Sequence, residues 1–367
     1  MTEREAWLAL NAAELPPRTT LDLLDHYGTA NALISAKPSA VASAARLTPT
    51  ETARFAEAQQ RDYRADLEKL AKLRARLITI RDAEYPPHLR HIYDSPPVLF
   101  VRGSLQPCDE RAIAIVGTRR VTAYGRLVSE TLGRDLAARG ITVVSGMAVG
   151  ADAAAHRGAL SAGGRTIGIL ACGIDVLYPR DTLELREQAV VRGAVISEVP
   201  LGTPARPPRF PARNRLISGL SLGVVVTEAP ERSGALLTAN HAANQGRQVF
   251  AVPGSVNSEF SRGTHALLRD GARLVESVED ILDELSLPDL SSPPASEGGA
   301  GEQTPAVSEL TGDERTILDA LSLHQKHVDD VIHECHLPSS RASGGLLMLE
   351  LKGLVRRLPG NMFMRVR

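Results

Sequence analysis

The sequence predicts an α/β protein: a Rossmann-like, doubly wound, mostly parallel sheet with a small N-terminal helical domain and a C-terminal winged helix. Three observations predict this. From about residue 112, short Val- and Ile-rich runs alternate with helical stretches, the pattern of parallel strands covered on both faces. Before them, residues 1–75 are rich in Ala, Leu, Arg and Glu in short amphipathic pieces. After them, residues 286–308 are mostly Ser, Pro, Gly and acid with almost no large apolar side chains, and three helical patterns and a hairpin follow. At 367 residues the chain is too long for one typical core. The expected domains are therefore 1–75 (helical), 76–285 (Rossmann-like), a flexible linker over 286–308, and 309–367 (winged helix).

Each element has a local reason. The N-terminal helices break at Pro16-Pro17 and at Lys37-Pro38-Ser39, and LDLLDHYGTANAL, with Gly28 at its centre, suits a tight helix–turn–helix. LITIRD and PPVLFVRG are strands flanking the turn and helix of YPPHLRHI. The alternation then gives strands at AIAIVG (112–117), ITVVSG (141–146), TIGILAC (166–172), AVISEV, LGVVVTEA and QVFAVPG. The helices between them are 126–139, a helix capped by Asp152 and running through Leu160, 182–192, RNRLISGLS and SGALLTANHAANQG. In the last domain TGDERTILDAL has a capping box, and LVRRLPGNMFMRV forms a hairpin turning at Pro-Gly-Asn.

Bulk chemistry narrows the function. Net charge is −1, so any affinity for nucleic acid has to come from local patches. Cys108, Cys172 and Cys335 form no CxxC pair, which argues against a disulfide scaffold or zinc ribbon and fits a reducing cytoplasm. The acidic opening MTEREAWLALNAAE is unlike a secretory leader, and no apolar run approaches the ~20 residues of a membrane span. A soluble, cytoplasmic protein with no membrane contact is expected.

The most informative stretch is RPPRFPARNR, residues 206–215, with Arg206, Arg209, Arg213 and Arg215, one ring (Phe210) and no acid. Guanidinium forks grip phosphate oxygens, and an aromatic face stacks on any base. Pro207, Pro208 and Pro211 are expected to hold the segment extended, a stiff cationic loop along a single strand. The loops after the strands add to it: Gly117-Thr118-Arg119-Arg120, Ser145-Gly146-Met147-Ala148-Val149-Gly150, and EAPERSG (228–234) followed by a helix with Thr238 one turn in. Small residues admit a ligand close to the backbone, and helix N-termini offer free N–H groups to anions.

Other chemistries lack support. No GxGxxG or GxxxxGK[ST] is present, so neither dinucleotide nor P-loop binding is expected. Gly219-Leu220-Ser221-Leu222-Gly223 matches GxSxG, but its helix precedes the Ser and its strand follows, the reverse of a nucleophile elbow. His324, His327, His333 and His336 with Cys335 suit exposed helix positions better than metal ligands, and His156 suits packing or capping better than base catalysis.

The segments IVGTRRVTAYG (115–125), VVSGMAVGADAAAHRGAL (143–160), TIGILACGIDVLYPRD (166–181), ISEVPLGTPARPPRFPARNRLISGLS (196–221), VVTEAPERSGALLTANHAANQGRQVFAVPG (225–254) and RGTHALLRDGA (262–272) resemble, in order, the DNA-processing protein A family (DprA, also called Smf) of bacterial natural transformation. The resemblance implies a core that binds single-stranded DNA, forms a homodimer and helps load the recombinase RecA. It implies no catalytic residue, cofactor or metal. It carries over Gly117, Arg119, Ser145, Gly146, Phe210, Arg213, Asn214, Arg215, Ser233, Gly234 and Thr238 as DNA-binding positions, beside Arg209 of the arginine segment. Thr118, Ala151 and His265 depart from the family pattern, the last placing one polar contact in question. Two other readings remain: a nucleotide phosphoribohydrolase on a similar sheet, which should carry a PGGxGTxxE loop that this chain lacks, and a duplex-binding winged helix, whose recognition segment offers only Arg341 and Lys352.

Overall fold

The computed structural model describes residues 1–287, 310–322, 325–352, 354–358 and 361–365. The expected linker lies outside them from residue 288 on, as do His324 and the Pro359-Gly360 step of the wing turn. Two compact units result, Met1–Ser291 and Ser292–Arg367.

In the first unit nine strands form one sheet: β1 Ala75–Thr79, β2 Val98–Gly103, β3 Ala112–Val116, β4 Thr142–Ser145, β5 Thr166–Ile169, β6 Ala194–Ser197, β7 Gly223–Val226, β8 Gln248–Ala251 and β9 Arg273–Leu274. Their order is β1-β2-β6-β5-β4-β3-β7-β8-β9. β6 to β9 run parallel in space, and the β1–β2 hairpin joins antiparallel through β2 against β6. β9, two exposed residues without an apolar run, is the strand that the sequence pattern did not signal.

The direction of winding reverses at β3. From β3 the chain steps to β4, β5 and β6 on one side, then returns to place β7, β8 and β9 on the other. In open α/β sheets that reversal opens a crevice at the carboxyl ends of the strands. The strands there are fully buried, with Ile113, Ile115, Val143 and Val225 packing one face and Ala114, Val144, Val224 and Val226 the other.

The N-terminal helices, from Glu3–Ala12 to Arg64–Lys72, start on capping boxes at Thr2/Glu5 and Thr48/Glu51 and on prolines at Pro17, Pro38 and Pro49. They do not stand apart. Trp7, Leu10, Phe55 and Tyr63 share one continuous core with Phe100 of β2, Val195 of β6 and Leu170 just beyond β5. Polar ties cross the same boundary: Asn11 Nδ2 donates to the Glu198 carbonyl at 2.8 Å, and Lys69 pairs with Asp175.

The second unit has helices Gly312–Ala320, Val328–Cys335 and Ser339–Leu351 and strands β10 Lys326–His327, β11 Val355–Leu358 and β12 Met362–Arg365, ordered β10-β12-β11. Ile317, Leu346, Leu349 and Phe363 form its core. Arg341 is bonded to Asp313 at 2.7 Å and Lys352 to Glu314 at 2.9 Å. Among the described residues no helix is long and apolar enough to cross a membrane, and no group of three His, Cys, Asp or Glu is placed to hold a metal.

Candidate nucleic-acid interface

A cavity of about 340 Å³ opens at the reversal point, between the carboxyl ends of β3 and β7. It is lined by Gly117, Arg119, Arg120, Asp152, Arg213, Asn214, Arg232, Ser233, Gly234 and Thr238. Seven positions expected from the sequence therefore converge on one space. Gly117 is needed for this: a Cβ there would lie 2.6 Å from the Ala151 Cβ, so no side chain fits between the first loop and the helix Ala151–Ser161 that follows β4.

The arginine segment is not extended. It forms the start of the helix Arg209–Gly219, whose first turn contains Pro211. Proline is tolerated there because first-turn N–H groups have no intrahelical acceptor to lose. The helix gives its arginines different fates. Arg213 is turned inward, 5% exposed, and its Nη1 donates to the carbonyls of Gly146 and Ile169. Burial lowers its pKa to about 10, and the nearby Asp152 opposes that shift. Arg215, also buried, donates Nε to Asp94 at 2.7 Å and both Nη groups to Glu198 at 2.8 and 2.6 Å. These carboxylates hold its pKa above the ordinary value against the opposing effect of burial. The expectation that Arg215 grips phosphate is corrected: its fork already holds two acids. Arg209 is half-buried and bonded to Glu14 of the N-terminal helices at 2.8 Å.

The exposed apparatus lies elsewhere. Arg119 and Arg120, on the loop after β3, and Arg232, on the loop after β7, are exposed at the cavity. The Arg119 guanidinium sits 4.6 Å over the Phe210 ring. Phe210 in turn packs obliquely against Tyr178, centroids 6.0 Å apart, around a side cavity of about 40 Å³. Tyr178 is 39% exposed. Sequence reasoning named the loops of Arg120 and Arg232 without singling out either arginine, and missed Tyr178 and Asp152 as site residues. The signal for Tyr178 was present, since LYPRD follows β5 and an aromatic beyond a strand end faces the same rim.

Ser145 is fully buried and donates to the Ile115 carbonyl at 2.6 Å, so its hydroxyl braces the sheet and does not reach a ligand. Gly146 is likewise interior. A Cβ on it would stand 2.5 Å from Arg213 Nη1 and 2.6 Å from Asp152 Oδ2, so the glycine makes the Arg213 seat possible. Ser233 caps the eleven-residue helix Gly234–Asn244, accepting from the Ala235 N–H at 3.3 Å, and Asn214 Nδ2 donates to the Gly234 carbonyl at 3.2 Å. That helix points its N-terminus at the cavity, with Gly234 exposed and Thr238 buried one turn in. His156 is fully buried against Thr166 Oγ1 at 2.6 Å and cannot serve a ligand as a base. Ser221 is buried too, donating to the Ile217 carbonyl. His265 bonds the Gly254 carbonyl at 3.1 Å, so its polar contact goes to the backbone.

Against known proteins, residues 76–286 match the sequence model of the family described as DNA recombination-mediator protein A, and residues 301–361 that of the DprA winged helix domain. Protein Smf of Escherichia coli K12 is 34% identical over 378 residues, covering 100% of this chain and 97% of its own. The DNA processing protein DprA of Bacillus subtilis 168 is 44% identical over 209 residues, 57% of this chain and 70% of its own. Among solved structures, DprA of Streptococcus pneumoniae superposes with TM-score 0.68 at 35% identity, covering 77% of this chain and 98% of that one. DprA of Helicobacter pylori, described for its single-stranded DNA binding mode, superposes with TM-score 0.52 at 30% identity over 57% and 96%. With the sheet, the ordered loops and both matched regions in agreement, the chain belongs to the DNA recombination-mediator protein A family.

Proposed function

We propose that this chain binds single-stranded DNA as a recombination mediator in natural transformation, working in the cytoplasm as a homodimer, handing strands to RecA and catalysing no reaction itself. The observation that carries the reading is the Arg119–Phe210–Tyr178 stack around the side cavity, joined through Arg119 to the larger cavity with its Arg120, Arg232 and helix N-terminus. Cations at the rim suit phosphates, and rings beside them suit unpaired bases. The H. pylori relative, described as binding single strands, supports the same assignment. The duplex-binding alternative is weakened by its own helix, since Arg341 and Lys352 are engaged by Asp313 and Glu314.

Fluorescence anisotropy with matched single-stranded and duplex oligomers tests this. The single strand should bind more tightly at physiological salt, with log K falling against log salt at a slope of about −2 to −3 as roughly three or four phosphates are neutralised. Equal affinity for both forms overturns it. Light scattering and RecA-dependent strand exchange test the homodimer and the hand-over separately.

A further inference from the structure

The helix Arg209–Gly219 is a partition between cavities. Phe210 and Arg213 line the strand-end cavities, whereas Arg209, Pro211, Ala212 and Arg215 line another, of about 590 Å³, between the N-terminal helices and the sheet. Pro16 and Pro17 form its helical side, and Pro96, Pro97 and Pro200 its sheet side. Proline rings are apolar, hold their backbone rigid and offer no N–H, so these walls recognise by shape and apolar contact and need no ordering. Mostly apolar walls around about 300–1,000 Å³, with a few placed polar groups, are the usual form of a binding pocket.

The charged groups of this cavity are paired, with one exception. Arg209 holds Glu14, Arg215 holds Asp94 and Glu198, and Glu51 accepts from the Thr48 N–H at the start of its helix. Arg54, one turn on from Glu51, engages no acceptor or carboxylate among the described residues, and its Nε is buried without a partner. Buried polar groups are ordinarily satisfied, so this guanidinium calls for an acceptor from outside. A phosphate backbone is the wrong source. It needs a row of free cations, and here one stands among Glu14, Asp94 and Glu198. The complement is a carboxylate beside an apolar side chain. Next to Asp94, Tyr93 is 78% exposed, and the Arg18 guanidinium lies 6.0 Å over its ring. A bare aromatic at the edge of an apolar cavity suits a protein partner, since such rings anchor protein interfaces.

We propose that the cavity between the N-terminal helices and the sheet docks an acidic, apolar segment of a partner protein. An apolar side chain of that segment packs on the proline walls, and its carboxylate pairs with Arg54. The partner then lies behind the partition helix, one helix diameter of about 10 Å from the strand-end cavities, so both sites can be filled at once.

The test is fluorescence anisotropy of the full chain with a fluorescein-labelled peptide, Gly-Ser-Glu-Leu-Phe-Glu-Ser-Gly. Two further peptides replace both Glu by Gln, or Leu-Phe by Ser-Ser. The acidic, apolar peptide should bind saturably, and each replacement should weaken it by about fivefold or more, as should Arg54→Ala. Ala212→Trp, which fills the cavity from an exposed position, should block the peptide. Saturating oligothymidylate should leave the peptide bound, and Arg54→Ala should leave oligothymidylate affinity unchanged. Lack of saturable peptide binding up to about 1 mM overturns the proposal. So do equal binding of the Gln peptide, an Arg54→Ala chain that keeps full peptide affinity, and displacement of the peptide by oligothymidylate, which would place it in the strand-end cavity. If Arg54→Ala does not fold, the Gln peptide on the wild-type chain decides alone. The peptide series reads this site whether or not the chain binds DNA, so failure of the single-strand reading shows separately, in the oligothymidylate titration.

Discussion

Arg119 and Arg215 carry the same charge and both fall in segments that resemble the family, yet their surroundings assign them opposite work. Arg119 is exposed over Phe210, so Arg119→Ala should weaken single-strand binding by about 1–3 kcal/mol and leave the thermal midpoint unchanged. Arg215→Ala removes the cation between Asp94 and Glu198 and strands two acids, of which Glu198 is the more buried. It should destabilise the fold by about 3 kcal/mol, seen in urea unfolding, before any question of binding arises. Composition made the arginines of RPPRFPARNR equivalent. The helical phase that separates them depends on where the helix begins, and the prolines concealed that start. His156 yields a prediction of another kind. Burial, then Arg213 and Arg157, push its pKa down to about 3, so the folded chain stays neutral where the unfolded chain takes up a proton. Stability is intact above an unfolded pKa of about 6.5 and is lost as pH falls toward about 3, by up to ~1.4 kcal/mol per pH unit. Urea midpoints between pH 6 and 4 should therefore fall more steeply for the wild-type chain than for His156→Gln, and parallel slopes would remove the ring from the account.

At the scale of elements, the parallel strands were legible because each is a short Val/Ile run bounded by small residues, and their carboxyl ends located the ligand side. β9 was not legible, since two exposed residues make no pattern. The N-terminal helices were legible as helices but not as part of the sheet's core. An amphipathic stripe shows that a face is buried and leaves its partner unnamed. Here the partner is β2 and β6. Deleting residues 1–72 should therefore bare Phe100, Leu170 and Val195, and the shortened chain should bind a hydrophobic dye and unfold at a lower temperature. An unchanged melting curve would show that the shared core contributes little.

For the whole molecule, the two family matches and the two compact units suggest a division of labour. Among the described residues the winged helix exposes the acids Asp329, Asp330 and Glu334 beside the bases Arg315, Arg356 and Arg357, while Arg341 and Lys352 are paired with Asp313 and Glu314. Acids facing a phosphate backbone repel it. A chain ending at residue 287 should thus keep most of its affinity for a short single strand, with a modest, salt-sensitive loss. A loss above about 2 kcal/mol, the size of a hot-spot contact, would place the winged helix in the primary site.

The helix that bears Phe210 is clamped twice within two turns, by Glu14 on Arg209 and by Asp94 and Glu198 on Arg215. Its ring therefore waits in position before any strand arrives. Preorganisation of this sort shows in time as well as in affinity, because no protein rearrangement has to precede contact. Capture should proceed at the pace of diffusion and charge attraction, giving stopped-flow traces of a single phase whose rate rises linearly with oligomer concentration. Loosening the clamp with Glu14→Ala should bend that line toward a plateau, as ordering of the helix becomes the slow step.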